Sequence, residues 1–280
     1  TGTKVYDGEI EILGSDLSVQ GVLGETFGLT GSASLRTKNV QTNTTLANVS
    51  GLTIVPVGNG VMDNYEPLAT TDTRMTITKK NVTLSAPTIV KTYDGGYTYT
   101  MTSSDLSSMS SQLVAGDRVV SASVTFASKD AGANKLVTLN SVTLYDGNDG
   151  GNYNLALTNS TTSSIAKAPL TITAVSDAKF VTQTDVQAAA NNCGAATACA
   201  GGYAGVVYQG FVAGETSADL TGTLAIARSN ASVISAGTYT NVLVPSGYTS
   251  ANYDITYARG DYTIVPANQL LVRVTPASVS

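Results

Sequence analysis

Short runs in which an apolar residue alternates with Thr or Ser fill this chain. Met75-Thr76-Ile77-Thr78, Val82-Thr83-Leu84-Ser85, Val119 to Phe126, Lys135 to Leu144, Leu170-Thr171-Ile172-Thr173, Leu220 to Ala227, Thr238 to Val244 and Tyr262 to Val265 follow a period of two. That is the spacing of a strand with one face buried and one face wet, and the β-branched content suits a pleated surface. Asp7-Gly8, Asp94-Gly95, Asp146-Gly147, Asp149-Gly150 and Gly260-Asp261 punctuate the runs as turn dipeptides. One stretch breaks the alternation: Leu106, Met109 and Leu113 stand at i, i+3 and i+7, which predicts a short helix over Ser104 to Leu113 with Ser104-Asp105 as its cap. Ser15 to Val22 occupies the matching place earlier in the chain and is expected to behave alike.

The pattern recurs. Lys4-Val5-Tyr6-Asp7-Gly8 returns as Lys91-Thr92-Tyr93-Asp94-Gly95, and Asn64-Tyr65 returns as Asn152-Tyr153 and Asn252-Tyr253. A Gly-acid pair accompanies each copy at Gly24-Glu25, Gly116-Asp117 and Gly214-Glu215. Tyr-Asp-Gly, Asn-Tyr and the closing Lys79 and Lys167 of the first two copies lie 87 or 88 residues apart, and Asn-Tyr and the closing Lys167 and Pro266 of the second and third 99 or 100. A fixed period carried by turn residues means tandem duplication of one folding unit. We expect repeat domains at 1–80, 81–168 and 169–267, with 268–280 as a closing strand or the start of a further repeat. The expected fold class is mainly β: three tandem β-grasp-like domains, mostly strand with one short helix each, stacked end to end in an elongated rod. The joints Lys79-Lys80, Lys167-Ala168-Pro169 and Pro266-Ala267 leave little slack, and three such domains in line reach on the order of 100 Å.

Composition narrows the function. Charged residues are 12%, against roughly 25% in an average soluble domain, so helical Glu-Lys ladders have no material. A net charge of −5 without a basic cluster argues against nucleic acid as a partner. The chain has no His, which removes the commonest general base and metal ligand and with them Ser-His-Asp, Cys-His and His-zinc chemistry; we expect no enzyme and no cofactor. Cys193 and Cys199 enclose a stretch suited to a small disulfide loop, which fits an exported protein. From Lys91 to Gly116 is shorter than from Lys179 to Gly214 by about ten residues, so the cysteines sit in an insertion of the third unit. No apolar run is long enough to span a bilayer, so direct membrane insertion is not expected, and Thr1 does not open a signal peptide; we read the chain as a segment of something longer.

Several constellations could carry chemistry. Asp146-Gly147-Asn148-Asp149-Gly150-Gly151-Asn152 resembles the first part of a calcium loop but lacks the downstream bidentate Glu, so a plain Asx/Gly turn is favoured. The tyrosine of each Tyr-Asp-Gly could stack on a sugar. Its recurrence in the first two units favours a packing residue with a hydrogen-bonded hydroxyl, and Asn-Tyr receives the same reading. Asp94 and Asp117 could pair as in a glycosidase, although nothing in the sequence raises either pKa. Asn43, Asn48, Asn81, Asn159 and Asn230 begin N-glycosylation sequons.

Lys4 to Gly8 and Lys91 to Gly95 resemble the signature of YDG repeats, found in filamentous-haemagglutinin-like surface adhesins that Gram-negative bacteria export by two-partner secretion. Gly210 to Glu215, Leu220 to Leu224, Ala236 to Tyr239 and Ser250 to Tyr257, closing on Tyr262-Thr263-Ile264, resemble the related MBG-type repeat. The third unit has Lys179-Phe180-Val181-Thr182 where Tyr-Asp-Gly would stand. The resemblance implies a secreted protein at the bacterial cell surface, associated with the outer membrane and serving adhesion or biofilm cohesion as a stalk. Its partners would be a host-cell or matrix glycan or protein, or a neighbouring bacterial surface, with an outer-membrane secretion partner for the full-length protein. The alternative is a glycan-binding module that uses the Cys193-Cys199 loop. No binding residue carries over from the family.

Overall fold

The structure is a computed structural model that describes residues 1–185, 203–212 and 214–271. Cys193 and Cys199, and with them the expected disulfide, lie outside the described residues. Strands dominate, and every alternating run singled out in the sequence falls within or across one of them. Ala168–Ala174 shows why: Leu170, Ile172 and Ala174 are buried while Thr171 and Thr173 face outward. Each fully buried Leu or Ile of this kind contributes about 1.5–3 kcal/mol.

The described residues gather into two compact units. One comprises 1–89, 97–127 and 134–163, and the other 90–96, 128–133 and 164–280. In the first unit Gly2–Val5 pairs in parallel with Met75–Thr78, and Lys80–Ser85 pairs in parallel with Tyr153–Thr158. Its core includes Tyr6, Ile12, Leu46, Met75, Ile77, Leu84, Ile89 and Met109. In the second unit Val90–Thr92 pairs in parallel with Ser164 to Ala166, Ala168–Ala174 with Tyr253–Ala258, and Asp177–Phe180 with Tyr262–Val265. Leu170, Ile172, Leu243 and Tyr262 are fully buried there.

Alternation is interrupted where two long antiparallel strands meet. Between Arg118–Phe126 and Gly132–Tyr145 the register shifts after Val119 and again after Ser123. One extra residue stands in each strand, Val120 in the first and Asn140 in the second. An inserted residue flips the faces beyond it. Val119 is therefore buried on one parity and Val124 and Phe126 on the other, as are Leu144 against Val137 and Leu139.

A helix forms in the expected place but is shorter, Ser103–Ser110, leaving Leu113 beyond its end, and its cap is Thr102 rather than the Ser-Asp pair. The Thr102 hydroxyl accepts from the Asp105 amide at 3.2 Å, and Asp105 accepts from the Thr102 amide at 2.9 Å, a reciprocal capping box. Met109 seals the helix against the sheet at 1% exposure. The expectation of a matching helix at Ser15 to Val22 is overturned: that segment is a single 3-10 turn, Gly14–Asp16, followed by the strand Val19–Gln20. It has no Leu-Met-Leu stripe to bury, and without one a helix of that length has nothing to stabilise it. At the chain's far end Asn268 to Leu271 carry no strand, and the rest of that expected closing strand lies outside the described residues.

The calcium-like segment is an Asx turn. Asp146, 1% exposed, accepts the amides of Asn148 at 2.8 Å, Gly150 at 2.9 Å and Asn152 at 3.1 Å. Burial pushes its pKa up, but the three amides outweigh burial and hold the carboxyl below the usual range. The preceding Tyr145 is exposed, with the Arg118 guanidinium 4.1 Å from its ring centroid. This third Tyr-Asp-Gly thus closes a turn and buries no phenol.

Asp146→Ala should lower unfolding free energy by about 2 kcal/mol at neutral pH by orphaning buried amides. A group whose pKa falls on folding stabilises above its unfolded value, and that contribution is lost as pH falls through the folded value. The gap between wild type and variant should therefore close in acid, measured by urea unfolding across pH; a constant gap would contradict the charge-based account.

Candidate functional site

The Lys-x-Tyr-Asp-Gly segment is a turn built to deliver a phenol. In the first copy the Tyr6 amide donates to Thr78 O at 2.9 Å, and in the second the Tyr93 amide donates to Ala166 O at 2.8 Å, so each tyrosine extends a parallel ladder. Lys4 Nζ then ties the turn together, donating to Glu9 O at 2.9 Å and Glu11 O at 3.0 Å while pairing with Asp7 at 2.9 Å. Lys91 repeats this with Gly96 O at 2.8 Å and Asp94 at 2.7 Å. Asp7 accepts the Glu9 amide and Asp94 the Gly96 amide. Burial pushes both carboxyls up in pKa, but the lysine and the amides prevail and hold them low. Gly8 (φ 86°) and Gly95 (φ 74°) occupy left-handed backbone, and a Cβ on Gly8 would come within 2.6 Å of Val114 Cγ1.

What the turn delivers is a tyrosine to the Gly-acid pair of the following copy. Tyr6, fully buried, donates its hydroxyl to Asp117 Oδ2 at 2.9 Å, and the same oxygen accepts Tyr153 Oη at 2.6 Å. The two rings meet edge to face, 5.4 Å apart. In the other compact unit Tyr93 donates to Glu215 Oε1, Tyr253 donates to Glu215 Oε2 at 2.5 Å, and their rings are 5.6 Å apart, again edge to face. The Asn-Tyr tyrosine is fixed in both by a backbone donor: the Val114 amide at 3.0 Å from Tyr153 Oη, and the Val212 amide at 3.0 Å from Tyr253 Oη. A lysine completes each set, Lys38 at 3.5 Å from Asp117 and Lys129 at 3.7 Å from Glu215.

The asparagine of Asn-Tyr joins the same contact. Asn152 Oδ1 accepts the Val40 amide at 2.9 Å, and Asn252 Oδ1 accepts the Ala131 amide at 2.9 Å. Tyrosine, acid, Asn-Tyr and lysine therefore form one hydrogen-bonded joint between residues of successive sequence copies, present once in each compact unit. This is why the turn at 90–96 clusters with the residues that follow it rather than with its own copy.

Electrostatics favour the neutral phenol. Burial comes first and the hydrogen bond to Asp117 second in raising Tyr6 and Tyr153; burial and Glu215 raise Tyr93 likewise and push Tyr253 up to about 12. Burial pulls the pKa of Lys38 down, but Tyr6 and Asp117 outweigh it and hold its ammonium above its ordinary pKa. Charge-assisted bonds of this kind contribute about 1.5–3 kcal/mol each.

Tyr6 and Tyr93 are 0% and 3% exposed, and Tyr153 and Tyr253 are 3% and 2%, so these rings are packing residues with bonded hydroxyls and offer no face to a sugar. Asp117 is filled by two phenols and a lysine, while Asp94 belongs to its own turn. Among the described residues no group of three or more acidic, His or Cys side chains is placed to hold a metal. Sequence reasoning used the Gly-acid pairs only as markers and missed that they are the acceptors. The available signal was an acid recurring in step with two tyrosine motifs in a chain without histidine.

The third copy substitutes a different closure. Lys179, 3% exposed, keeps the lysine position, but its acid is Asp185 at 2.5 Å, held also by Arg228 at 2.8 Å. Val181 stands where the tyrosine was, its amide donating to Val265 O at 2.9 Å as the amides of Tyr6 and Tyr93 do to their own ladders, and it has no hydroxyl to donate.

Tyr6→Phe should cost about 1.5–3 kcal/mol and Asp117→Ala more, since it strands two phenols. Combining them should be clearly less than additive in a double-mutant cycle read by chemical unfolding, and additivity would contradict a direct bond. A phenol whose pKa rises on folding stabilises fully below its unfolded value of about 10 and loses that contribution as pH rises through the folded value. Spectrophotometric titration should show a class of tyrosines ionising only as the chain unfolds above pH 10, and Tyr253→Phe should shift that unfolding.

Neither a curated protein nor a solved structure matches the sequence. The YDG domain family matches twice, over residues 1–73 and 78–164, together more than half of the chain. Each match carries a Lys-x-Tyr-Asp-Gly turn whose phenol is buried in the joint described above. By these matches, the chain belongs to the YDG domain family.

Proposed function

We propose that this protein is a structural and adhesive segment of a secreted bacterial surface adhesin. In this reading the three sequence copies are tandem β-grasp-like modules, two of YDG type and a third of MBG type, stacked end to end as a stalk. The observation that carries it is the recurrence of one joint, Tyr6 and Tyr153 on Asp117 and Tyr93 and Tyr253 on Glu215. A contact repeated at each passage from copy to copy resists bending and transmits load, which is what a stalk requires and a single-site binder does not.

The wider setting follows from the family resemblance: export by two-partner secretion, a place at the outer membrane, and contact with host glycans, matrix proteins or neighbouring cells. No helix among the described residues is long and apolar enough to cross a membrane.

Small-angle scattering should give an elongated particle with a maximum dimension on the order of 100 Å, and a glycan array should give no strong signal. A compact particle would overturn the stalk. Sugar binding that disappears in Cys193→Ser/Cys199→Ser would replace it with a lectin-like module.

A further inference from the structure

The first copy carries the receiving half of the joint with nothing in it. Glu25 Oε2 accepts Tyr65 Oη at 2.5 Å, the Val22 amide donates to Tyr65 Oη at 2.9 Å, and Phe27 packs edge to face on Tyr65 at 4.9 Å. Tyr253 in the third copy stands in the same way between Glu215, the Val212 amide and Phe211. What differs is cover. Tyr153 and Tyr253 are buried, whereas Tyr65 and Glu25 are half-buried, Asn64 is exposed, and Val22 and Leu23 are 63% and 100% exposed.

A second difference points the same way. After Asn-Tyr the other copies continue as strands, Tyr153–Thr158 and Tyr253–Ala258, each paired in parallel with a strand that opens the copy. Residues 66–69 after Tyr65 form no strand. Acid, phenol, amide donor and an unpaired segment thus lie on one face, in the arrangement that is closed elsewhere in this chain by a tyrosine of the Lys-x-Tyr-Asp-Gly turn.

We propose that the Glu25–Tyr65 face is a docking site for another YDG-type repeat, which inserts its turn tyrosine onto Glu25 and lays a parallel strand beside residues 66–69. The occupant cannot be a turn of an intact second copy of this chain, because Tyr6 and Tyr93 are already committed and the third copy offers Val181. The proposal stands whether or not the protein serves adhesion.

Tyr6 and Val181 hold equivalent positions, so repeating residues 80–175 ahead of Thr1 of the full chain sets an added Tyr93 and an added opening strand in register with this face. Glu25→Gln should then reduce the folding equilibrium constant at least tenfold more in the extended chain than in the original, and Tyr93→Phe in the added segment should abolish that excess. Equal effects of Glu25→Gln in both chains would overturn the proposal. Should the extended chain not fold, Val181→Tyr/Thr182→Asp/Gln183→Gly in the original chain restores a free turn. Sedimentation should show concentration-dependent head-to-tail association that Glu25→Gln removes; a folded variant that stays monomeric, or associates regardless of Glu25, would overturn it.

Discussion

A buried carboxylate that accepts two phenols is the constraint on which the rest of this structure depends. Asp117 is 7% exposed, and an acid placed so deep is tolerated only if its oxygens are satisfied. Its own copy supplies one hydroxyl, from Tyr153, and the preceding copy supplies another from Tyr6 together with the ammonium of Lys38. Neither copy satisfies the acid alone. The folding of the first sequence copy is thereby coupled to that of the second.

That coupling explains the Lys-x-Tyr-Asp-Gly signature residue by residue. Lysine and aspartate clamp a turn by bonding its carbonyls and amides, glycine accepts the left-handed backbone, and tyrosine is the part that leaves the copy. The motif is an architectural lock. Tyr145-Asp146-Gly147 shows that the tripeptide is insufficient: lacking the lysine before it and an acid to meet, its tyrosine stays on the surface and its aspartate turns inward to three amides.

The third copy is informative because it keeps the lysine and loses the phenol. Lys179 pairs with Asp185, itself held by Arg228, in place of an aspartate three residues on, so the lysine keeps a carboxylate partner while the phenol donor is lost. Delivery and reception of a tyrosine are therefore separable. The first copy holds a receiver without a donor, and the third holds the donor position without its hydroxyl.

The amino-acid sequence by itself determined the strands, the period and the recurrence of Tyr-Asp-Gly, Gly-acid and Asn-Tyr, because alternation and turn chemistry are local and survive in one dimension. It also determined the helix at Ser103–Ser110, whose Leu106 and Met109 at i and i+3 are a local pattern. Only the tertiary structure decided that Val120 and Asn140 are extra residues that reverse the buried face of their strands, since a bulge is defined by the partner strand. It alone decided, too, that Glu215 belongs to Tyr93 across 122 residues. A carboxylate in a turn looks the same in sequence whether water or two phenols surround it; burial makes the difference, and burial is a property of the folded neighbours.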